Sequence, residues 1–450
     1  MKVMLIQPKP PKDSIGLWEL MCCEPLGLEY VGTALKNEGH EVVLIDLALE
    51  KKSLEFFLKA ESPEIVMFTA YLINIGTIKE LSDMVKKYNT DTITAVGGSH
   101  SEVHPEDFDY CNIDYVLSIN GVKNAMILLD AMEKKIVPEF EHDEIDTGFQ
   151  LPKVDRSLTA KYRHRYYYAY GKSYALLKTS FGCPHDCKFC FSIVAARHQY
   201  IERDIKTIME EIMEIEEENV FVVDDNFLAN RKRIIEFCEL LKKHNVNKKF
   251  YVNARADFIC ANEDIIKLVA EHGINSIFVG LESFKQEDLN NLGKKSDVDL
   301  AIKASAICRK YNIMFHCSAI LGYDWDKKDF KEFAKWLKKN IYYRDINFMP
   351  LAPLLGTEMA NDYDDRLLVS RTEYEKWDFQ HVIIRPSKIK TSEFYIETIK
   401  IYFKVSFTFR NFVFINKTSG VRASFYIVRG IIKNLWSLLK LVVKYKKIGD

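Results

Sequence analysis

The chain has 450 residues, 48% of them hydrophobic and 28% charged, with a formal net charge of −1 at pH 7. That length accommodates two or three domains, and the balanced charge gives no bulk electrostatic reason to expect a nucleic-acid partner. Met1-Lys2 leads directly into a short apolar run closed by Gln7-Pro8, and no apolar stretch reaches the ~18 residues a span requires, so neither a signal peptide nor a spanning helix is expected.

Over residues 1–140, short apolar runs at 3–6, 41–45, 64–69, 92–96 and 115–119 read as buried parallel strands. Helical periodicity occupies 26–39, 75–88 and 122–133. This alternation predicts a doubly wound, Rossmann-like α/β domain whose ligand lies across the C-terminal strand ends. No G-x-G-x-x-G follows the first strand, so a dinucleotide site is unsupported. Gly97-Gly98-Ser99-His100 follows the fourth strand, where two glycines either let a ligand approach the backbone or simply make the turn. Together with Pro25-Leu26-Gly27-Leu28 and Thr69 at the end of the third strand, this pattern resembles the cobalamin-binding domains fused to radical S-adenosylmethionine (SAM) barrels. The resemblance implies that Thr69, Gly97, Gly98 and His100 line a cobalamin site. Two features depart from it: the usual G-E-G-E reads Ile119-Asn120-Gly121-Val122, and D-x-H-x-x-G is missing. Cobalamin is therefore expected base-off with no protein histidine on cobalt; a domain that has shed the cofactor is the alternative.

Residues 141–172 read as a polar linker that ends in the aromatic run YRHRYYYAY from Tyr162. Packing of this arm onto the following domain is expected, and lining of the cleft between domains is the alternative.

The segment 183–190, Cys-Pro-His-Asp-Cys-Lys-Phe-Cys, holds three thiols at spacings x₃ and x₂. Zinc usually takes four ligands as two separated pairs, whereas three thiolates fit a [4Fe–4S] cubane with one iron left open. Gly182 and Pro184 let the backbone wrap a bulky group. Chance clustering is the bland reading, but a C-x₃-C-x-aromatic-C pattern with strand before and helix after argues against it. The loop resembles the signature of the radical SAM superfamily. That resemblance implies that Cys183, Cys187 and Cys190 ligate the cluster, that the open iron chelates SAM, and that Phe189 lies near the adenine. The other seven cysteines are scattered; Cys238, Cys308 and Cys317 sit on apolar faces and are expected in the core. Ten cysteines in a chain with no secretory signal point to a reducing, cytoplasmic setting.

Strands are expected at 175–180, 220–224, 250–255, 276–281, 314–321 and 345–349, with helices starting near Asp204, Arg231, Glu263, Asp297 and Lys327. Six βα units over residues 173–355 match the superfamily's partial barrel, whose site lies at the C-terminal strand ends. Asp224 and Asp225 close the second strand. Adjacent residues face opposite ways, so one of them is expected to cap or orient backbone. Arg255, at the end of the third strand, can meet the SAM carboxylate or pair with Asp257. Glu282, in Gly280-Leu281-Glu282-Ser283, resembles the G-x-E-S segment that contacts SAM. Ser318 and Gly322 belong to the fifth strand and its turn, where the family's G-F-P-x-E reads Gly322-Tyr323-Asp324-Trp325-Asp326.

Residues 356–450 read as a helical tail. Positions 401–450 hold ten Lys/Arg and one acid, a net of +9 against −1 for the chain, so residues 1–400 carry −10. Over 421–447, Arg422, Arg429, Lys433, Lys440, Lys444 and Lys447 share one helical face opposite an apolar one. That pattern suits an in-plane membrane helix; a helix docked on the protein is the alternative. By its resemblances, the chain is expected to be a cobalamin-dependent radical SAM enzyme that methylates an unactivated carbon through a 5′-deoxyadenosyl radical and methylcobalamin. The implied partners are an external flavodoxin- or ferredoxin-type electron donor and a small-molecule or lipid substrate. Radical cyclisation, ring formation or oxidation without methyl transfer is the first alternative, an iron–sulfur electron-transfer protein the second and a zinc-binding module the third.

Overall fold

The computed structural model describes residues 1–16, 21–141, 144–168, 173–406 and 409–449, with backbone alone for 409–427. The first sheet is built from β1 (Lys2–Gln7), β2 (Glu41–Asp46), β3 (Ile65–Thr69), β4 (Ile93–Gly97) and β5 (Tyr115–Leu117), all parallel in the order β2-β1-β3-β4-β5. Helices α1 (Leu26–Asn37), α2 (Leu54–Glu61), α3 (Ile75–Tyr88) and α4 (Gly121–Lys134) connect them. Both faces of the sheet are buried: Met4, Ile6, Val66 and Phe68 enter one core, while Val3, Leu5, Ile65 and Met67 enter the other. This is the two-sided burial that a continuous apolar strand requires. The expected strands and helices are present, and α2 is an addition. The strand order reverses beside β1 and β3, which opens a crevice at their C-terminal ends.

The second domain runs β6 (Tyr174–Leu177), β7 (Ser180–Gly182), α5 (Phe191–Ala195), β8 (Tyr200–Glu202), α6 (Ile205–Glu214), β9 (Asn219–Val222), α7 (Arg231–Lys243) and β10 (Lys249–Ala254). It continues through α8 (Ala256–Ala261), α9 (Glu263–Glu271), β11 (Ile274–Glu282), α10 (Gln286–Asn291), α11 (Val298–Lys310), β12 (Met314–Leu321), α12 (Lys327–Asn340) and β13 (Asp345–Pro350). Six parallel strands in the order β6-β9-β10-β11-β12-β13 form the partial (β/α)₆ barrel. Asp204, Asn230, Asp297 and Asp326 each accept backbone N–H groups at the start of α6, α7, α11 and α12, which is why those helices begin where the sequence places them. Cys238, Cys308 and Cys317 are buried in the barrel core. The expected strand at 175–180 is instead split: β6 stops at Leu177 and β7 pairs antiparallel with β8. The break arises because Thr179 N–H and the Ser180 hydroxyl donate to Asp224.

The arm between the domains packs on both. Tyr162 donates to Glu50 (2.8 Å) and accepts from Asp46 N–H (3.1 Å), and Tyr166 donates to Asp46 Oδ2 (3.1 Å). Tyr168 enters the barrel, with its ring 4.6 Å from Phe221 and 5.4 Å from Tyr251. Tyr170, the last tyrosine of the run, lies outside the described residues. Under the arm, Glu24, Glu29, Glu211 and Glu217 interleave with Arg156, Arg163 and Arg203 in a charged seam between the domains.

Helices α13 (Thr391–Val405) and α14 (Phe409–Lys447) close the chain. Leu438, Val442 and Tyr445 of α14 are buried in the barrel core, and Tyr445 stacks on Tyr395 at 5.9 Å. The side chains of Val421, Arg422 and their neighbours to residue 427 lie outside the described part of the helix. Among the described residues, no helix is long and apolar enough to cross a membrane.

Candidate active site

The end of β9 braces the cysteine loop. Asp224, 1% exposed, accepts from Thr179 N–H (2.6 Å), the Thr179 hydroxyl and the Ser180 hydroxyl (2.7 Å). Asp225 accepts from Gly182 N–H (3.2 Å) and Lys178 Nζ (3.4 Å). The adjacent carboxylates therefore hold backbone and hydroxyls in place. Gly182 has φ +72°, and a Cβ there would strike the Gln199 carbonyl, so the turn into the loop requires glycine.

Cys183, Cys187 and Cys190 are half-buried free thiols. Cys190 N–H donates to Cys187 O (3.1 Å), and Lys188 N–H donates to Leu292 O (3.2 Å), which anchors the loop to the turn after α10. Burial pushes the Cys183 and Cys190 thiols up from their ordinary value; bound iron would hold them as thiolates. Asn226, 2% exposed, lies beside the Cys183 thiol and has no hydrogen-bond partner among the described residues for either amide atom. Among the described residues, no three His, Cys, Asp or Glu side chains converge on a single ion; in a cubane each thiolate takes its own iron.

The strand ends surround this loop. Arg255 is paired with Asp257 (Nη2–Oδ2 2.8 Å), and its Nη1 also reaches Cys187 Sγ at 3.6 Å. Burial opposes its charge, but Asp257 and the cysteine sulfurs hold its pKa above the ordinary guanidinium value. Glu282, 5% exposed with φ +60°, meets Lys294 Nζ at 2.6 Å. Its carboxylate folds over Gly280, where any Cβ would collide with it. Ser318 is buried and sits in register between Gly280 and Asn347. At Gly322 a Cβ would meet the Trp325 ring at 2.5 Å. Phe189 packs with Leu292, Ile320 and Met359, and Lys294 Nζ lies 6.0 Å from its ring.

The first sheet contributes the opposite wall. Gly98 has φ +113°, and a Cβ there would stand 2.7 Å from Ala70 N and 3.0 Å from Thr69 Oγ1. Gly97 O accepts from Ala70 N–H (2.6 Å), so β3 and β4 end in one compact turn. His100, 2% exposed, bonds Asp107 Oδ2 (2.7 Å), whose Oδ1 accepts from Tyr374 (2.8 Å). Nδ1 of His100 and Nε2 of His104 are buried with no protein partner. These imidazoles line a small cavity with Leu72, Phe191, Leu354 and Trp377. Val103, from the same loop as His100, and Val194, from α5 just past the cysteines, both close on Gly356, at 2.8 and 3.1 Å from where its Cβ would be. Burial pushes the nearby Glu102 carboxyl up to about 7, with Lys178 and Arg197 opposing the shift.

Sequence reasoning missed Lys294, Asn226, Lys178 and the Asp107–Tyr374 link. Only Asn226, directly after the paired aspartates, stood at a position that strand-end logic reaches.

Residues 20–126 match the B12 binding domain family, and residues 177–337 match the radical SAM superfamily. The chain belongs to the radical SAM enzymes that carry an N-terminal B12-binding domain. It is 28% identical over 416 residues to the hopanoid C-3 methylase of Methylococcus capsulatus, covering 89% of this chain and 79% of that protein. It is 24% identical over 417 residues to an anaerobic magnesium-protoporphyrin IX monomethyl ester cyclase of Synechocystis, covering 85% and 81%. The fold matches that of the radical SAM methyltransferase TsrM from Kitasatospora setae, solved with cobalamin and a [4Fe–4S] cluster, at TM-score 0.68 and 16% identity over 98% and 99% of the two chains. The cofactors of this enzyme are a [4Fe–4S] cluster, SAM and cobalamin. The residues present fit them. Three half-buried thiols on a glycine-turned loop beside an unpaired buried amide suit a cluster. The orphaned His100 nitrogen leaves a buried polar group at the end of the first sheet for a ligand to satisfy.

Proposed function

We propose that this protein is a cobalamin-dependent radical SAM methyltransferase acting on an unactivated carbon of a small-molecule or lipid substrate. The observation that carries the reading is the approach of Val103 and Val194 to the same glycine, Gly356, since it brings the His100 loop and the cysteine loop to one shared space. The similarity to a hopanoid methylase over most of both chains supports an apolar, lipid-like substrate. The division into residues 1–140, 141–172, 173–355 and 356–450 is proposed to be functional as well: cobalamin domain, linker, barrel and tail.

When bound, the cluster and SAM supply a hydrogen-abstracting radical, and cobalamin supplies the methyl group. The chain's own work is positional. Cys183, Cys187 and Cys190 hold the cluster, and Arg255 places positive charge beside Cys187. Glu282, Ser318, Gly322 and Phe189 form the SAM pocket; Lys294, 2.6 Å from the Glu282 carboxylate, orients it for donors on SAM. Thr69, Gly97, Gly98 and His100 seat cobalamin, with the Asp107–Tyr374 chain fixing the His100 ring. The apolar walls formed by Leu72, Phe191 and Trp377 exclude water from the space between. Electrons come from an external flavodoxin- or ferredoxin-type donor. The setting is proposed to be cytoplasmic, peripheral on the inner face of the membrane, with contact through residues 421–447.

The test is anaerobic purification with added hydroxocobalamin, followed by cobalt, iron and sulfide analysis and turnover with methyl-labelled SAM. Stoichiometric cobalt and label in the product support the reading. The similarity to a cyclase favours a second reading, radical ring formation; 5′-deoxyadenosine released without label in the product would select it.

A further inference from the structure

The described part of α14 has three faces. Leu438, Val442 and Tyr445, spaced four and three residues apart, are buried in the barrel core. A second row, Ile432, Trp436, Leu439 and Val443, spaced four, three and four apart, is also a single helical stripe, yet its members are 60%, 61%, 45% and 52% exposed. Helices that pack on one side normally turn polar residues outward; this one turns out a tryptophan and three aliphatic side chains. Arg429, Lys433, Lys440, Lys444 and Lys447 form the row beside them, and Lys446 follows on the far flank. No acid occurs anywhere in α14.

The helix is also fixed in place. Asn434 donates to Gly16 O (3.1 Å) in the loop that follows β1, while residues 438–445 grip the barrel. Ile15, next to Gly16, donates its N–H to Asp378 (2.5 Å). The exposed stripe thus faces outward on a helix held against the barrel and against the loop that follows β1.

We propose that the stripe formed by Ile432, Trp436, Leu439 and Val443 is an insertion surface for an anionic bilayer, and that it holds the barrel against the membrane from which a lipid substrate is drawn. This deepens the membrane contact proposed above and rests on that reading of the tail. An apolar row sinks to the headgroup–acyl boundary while the flanking lysines meet anionic headgroups. The partner is a lipid surface because the row is narrow, carries an interfacial tryptophan and is flanked by Lys440, Lys444 and Lys447 on a helix that holds no acid. Protein interfaces are depleted in lysine, whereas this row is flanked by lysines.

The full chain is mixed with vesicles of phosphatidylcholine alone or with phosphatidylglycerol, and bound protein is measured by sedimentation. Binding is expected to anionic vesicles, weakened at least about tenfold by the W436S/L439S/V443S variant and roughly fivefold for each of Lys440→Gln and Lys444→Gln. Trp436 emission is expected to shift to the blue on binding, a shift absent in Trp436→Phe. The substituted positions are exposed, so folding is retained, and unchanged 5′-deoxyadenosine formation from SAM without vesicles separates this test from that of the enzyme reading. Equal binding by wild type and triple variant overturns the proposal. So does sedimentation equilibrium showing a dimer that the triple variant dissociates, since the stripe would then be covered by a second copy.

Discussion

Lys294 Nζ stands 2.6 Å from Glu282 Oε1 at the C-terminal end of β11, with both side chains largely withdrawn from water. The pair sits over Gly280 and beside the Phe189 ring, so it links the strand end to the cysteine loop. Removing the lysine strands a carboxylate in a dry site. Lys294→Met is expected to destabilise the protein by about 3–5 kcal/mol and to weaken SAM binding. Adding Glu282→Gln is expected to recover much of the stability but none of the binding. Thermal melts and calorimetric titration of SAM on the same samples check both halves.

The cysteine loop gives the sharpest contrast among chemically identical substitutions. Cys183→Ala, Cys187→Ala and Cys190→Ala are each expected to abolish bound iron and sulfide and 5′-deoxyadenosine formation. Cys238→Ala, which removes a thiol buried in the core, is expected to leave both intact at a stability cost of about 1 kcal/mol. Iron retained at full stoichiometry in any of the first three would remove that cysteine from the ligand set.

Much of this architecture was legible because its signals are local. An apolar run followed by Asp, Asn or Asp-x-x-Asp announces a strand and a capped helix, and Asp204, Asn230, Asp297 and Asp326 all perform that role. The break after Leu177 was not legible, because it depends on Asp224, which reaches back 45 residues to Thr179. Lys294 gave no signal either: it meets Glu282 across a loop and a short helix, and nothing in a Gly-Lys-Lys sequence says which lysine turns inward. The interdomain contacts were the least visible. Arg163 and Glu24 are 139 residues apart, and Tyr374 and Asp107 are 267 apart, and period-based reading has no purchase on such pairs. The basic stripe of the tail was visible, but its apolar face proved to be divided, half docked on the barrel and half exposed.

Gly98 tests the first domain. Its φ of +113° lies where L side chains are strained, and a Cβ would also crowd Ala70. Gly98→Ala is expected to cost about 1–3 kcal/mol and to lower cobalt content after reconstitution with hydroxocobalamin. Gly76→Ala in α3, where nothing lies within 4 Å of the new carbon, is expected to leave cobalt uptake unchanged.

The seam between the domains predicts a pH dependence of stability. Burial first, then the neighbouring Glu24, push Glu29 up to about 8 from an ordinary 4.5, while Thr159, Arg156 and Arg163 act against the shift. The folded chain therefore binds more protons than the unfolded chain between those values, and stability falls as pH rises through that window. Glu29→Gln keeps the shape without the titration. It is expected to flatten the decline and to be more stable than wild type at pH 8, but not at pH 5. Urea melts at the two pH values decide this, and parallel curves for the two proteins would count against it.

Tyr168 separates the two ends of the barrel. It meets Phe221 and Tyr251, and Tyr251 in turn lies 4.8 Å from His316. Tyr251 precedes Arg255 by four residues, so at about 3.3 Å per residue this aromatic stack lies roughly 13 Å below the strand ends that surround the cysteines. In barrels of this type, the N-terminal end of the strands contributes stability and the C-terminal end chemistry. Tyr168→Ala is therefore expected to cost about 3–5 kcal/mol through the cavity it leaves. At a temperature where the variant is folded, its SAM affinity and 5′-deoxyadenosine yield should match wild type. Tyr168→Phe, which keeps the ring, should restore most of the lost stability. A variant that melts normally but binds SAM poorly would mean that the stack reaches the cofactor pocket, and that the arm carrying Tyr168 lines the site rather than closing the floor beneath it.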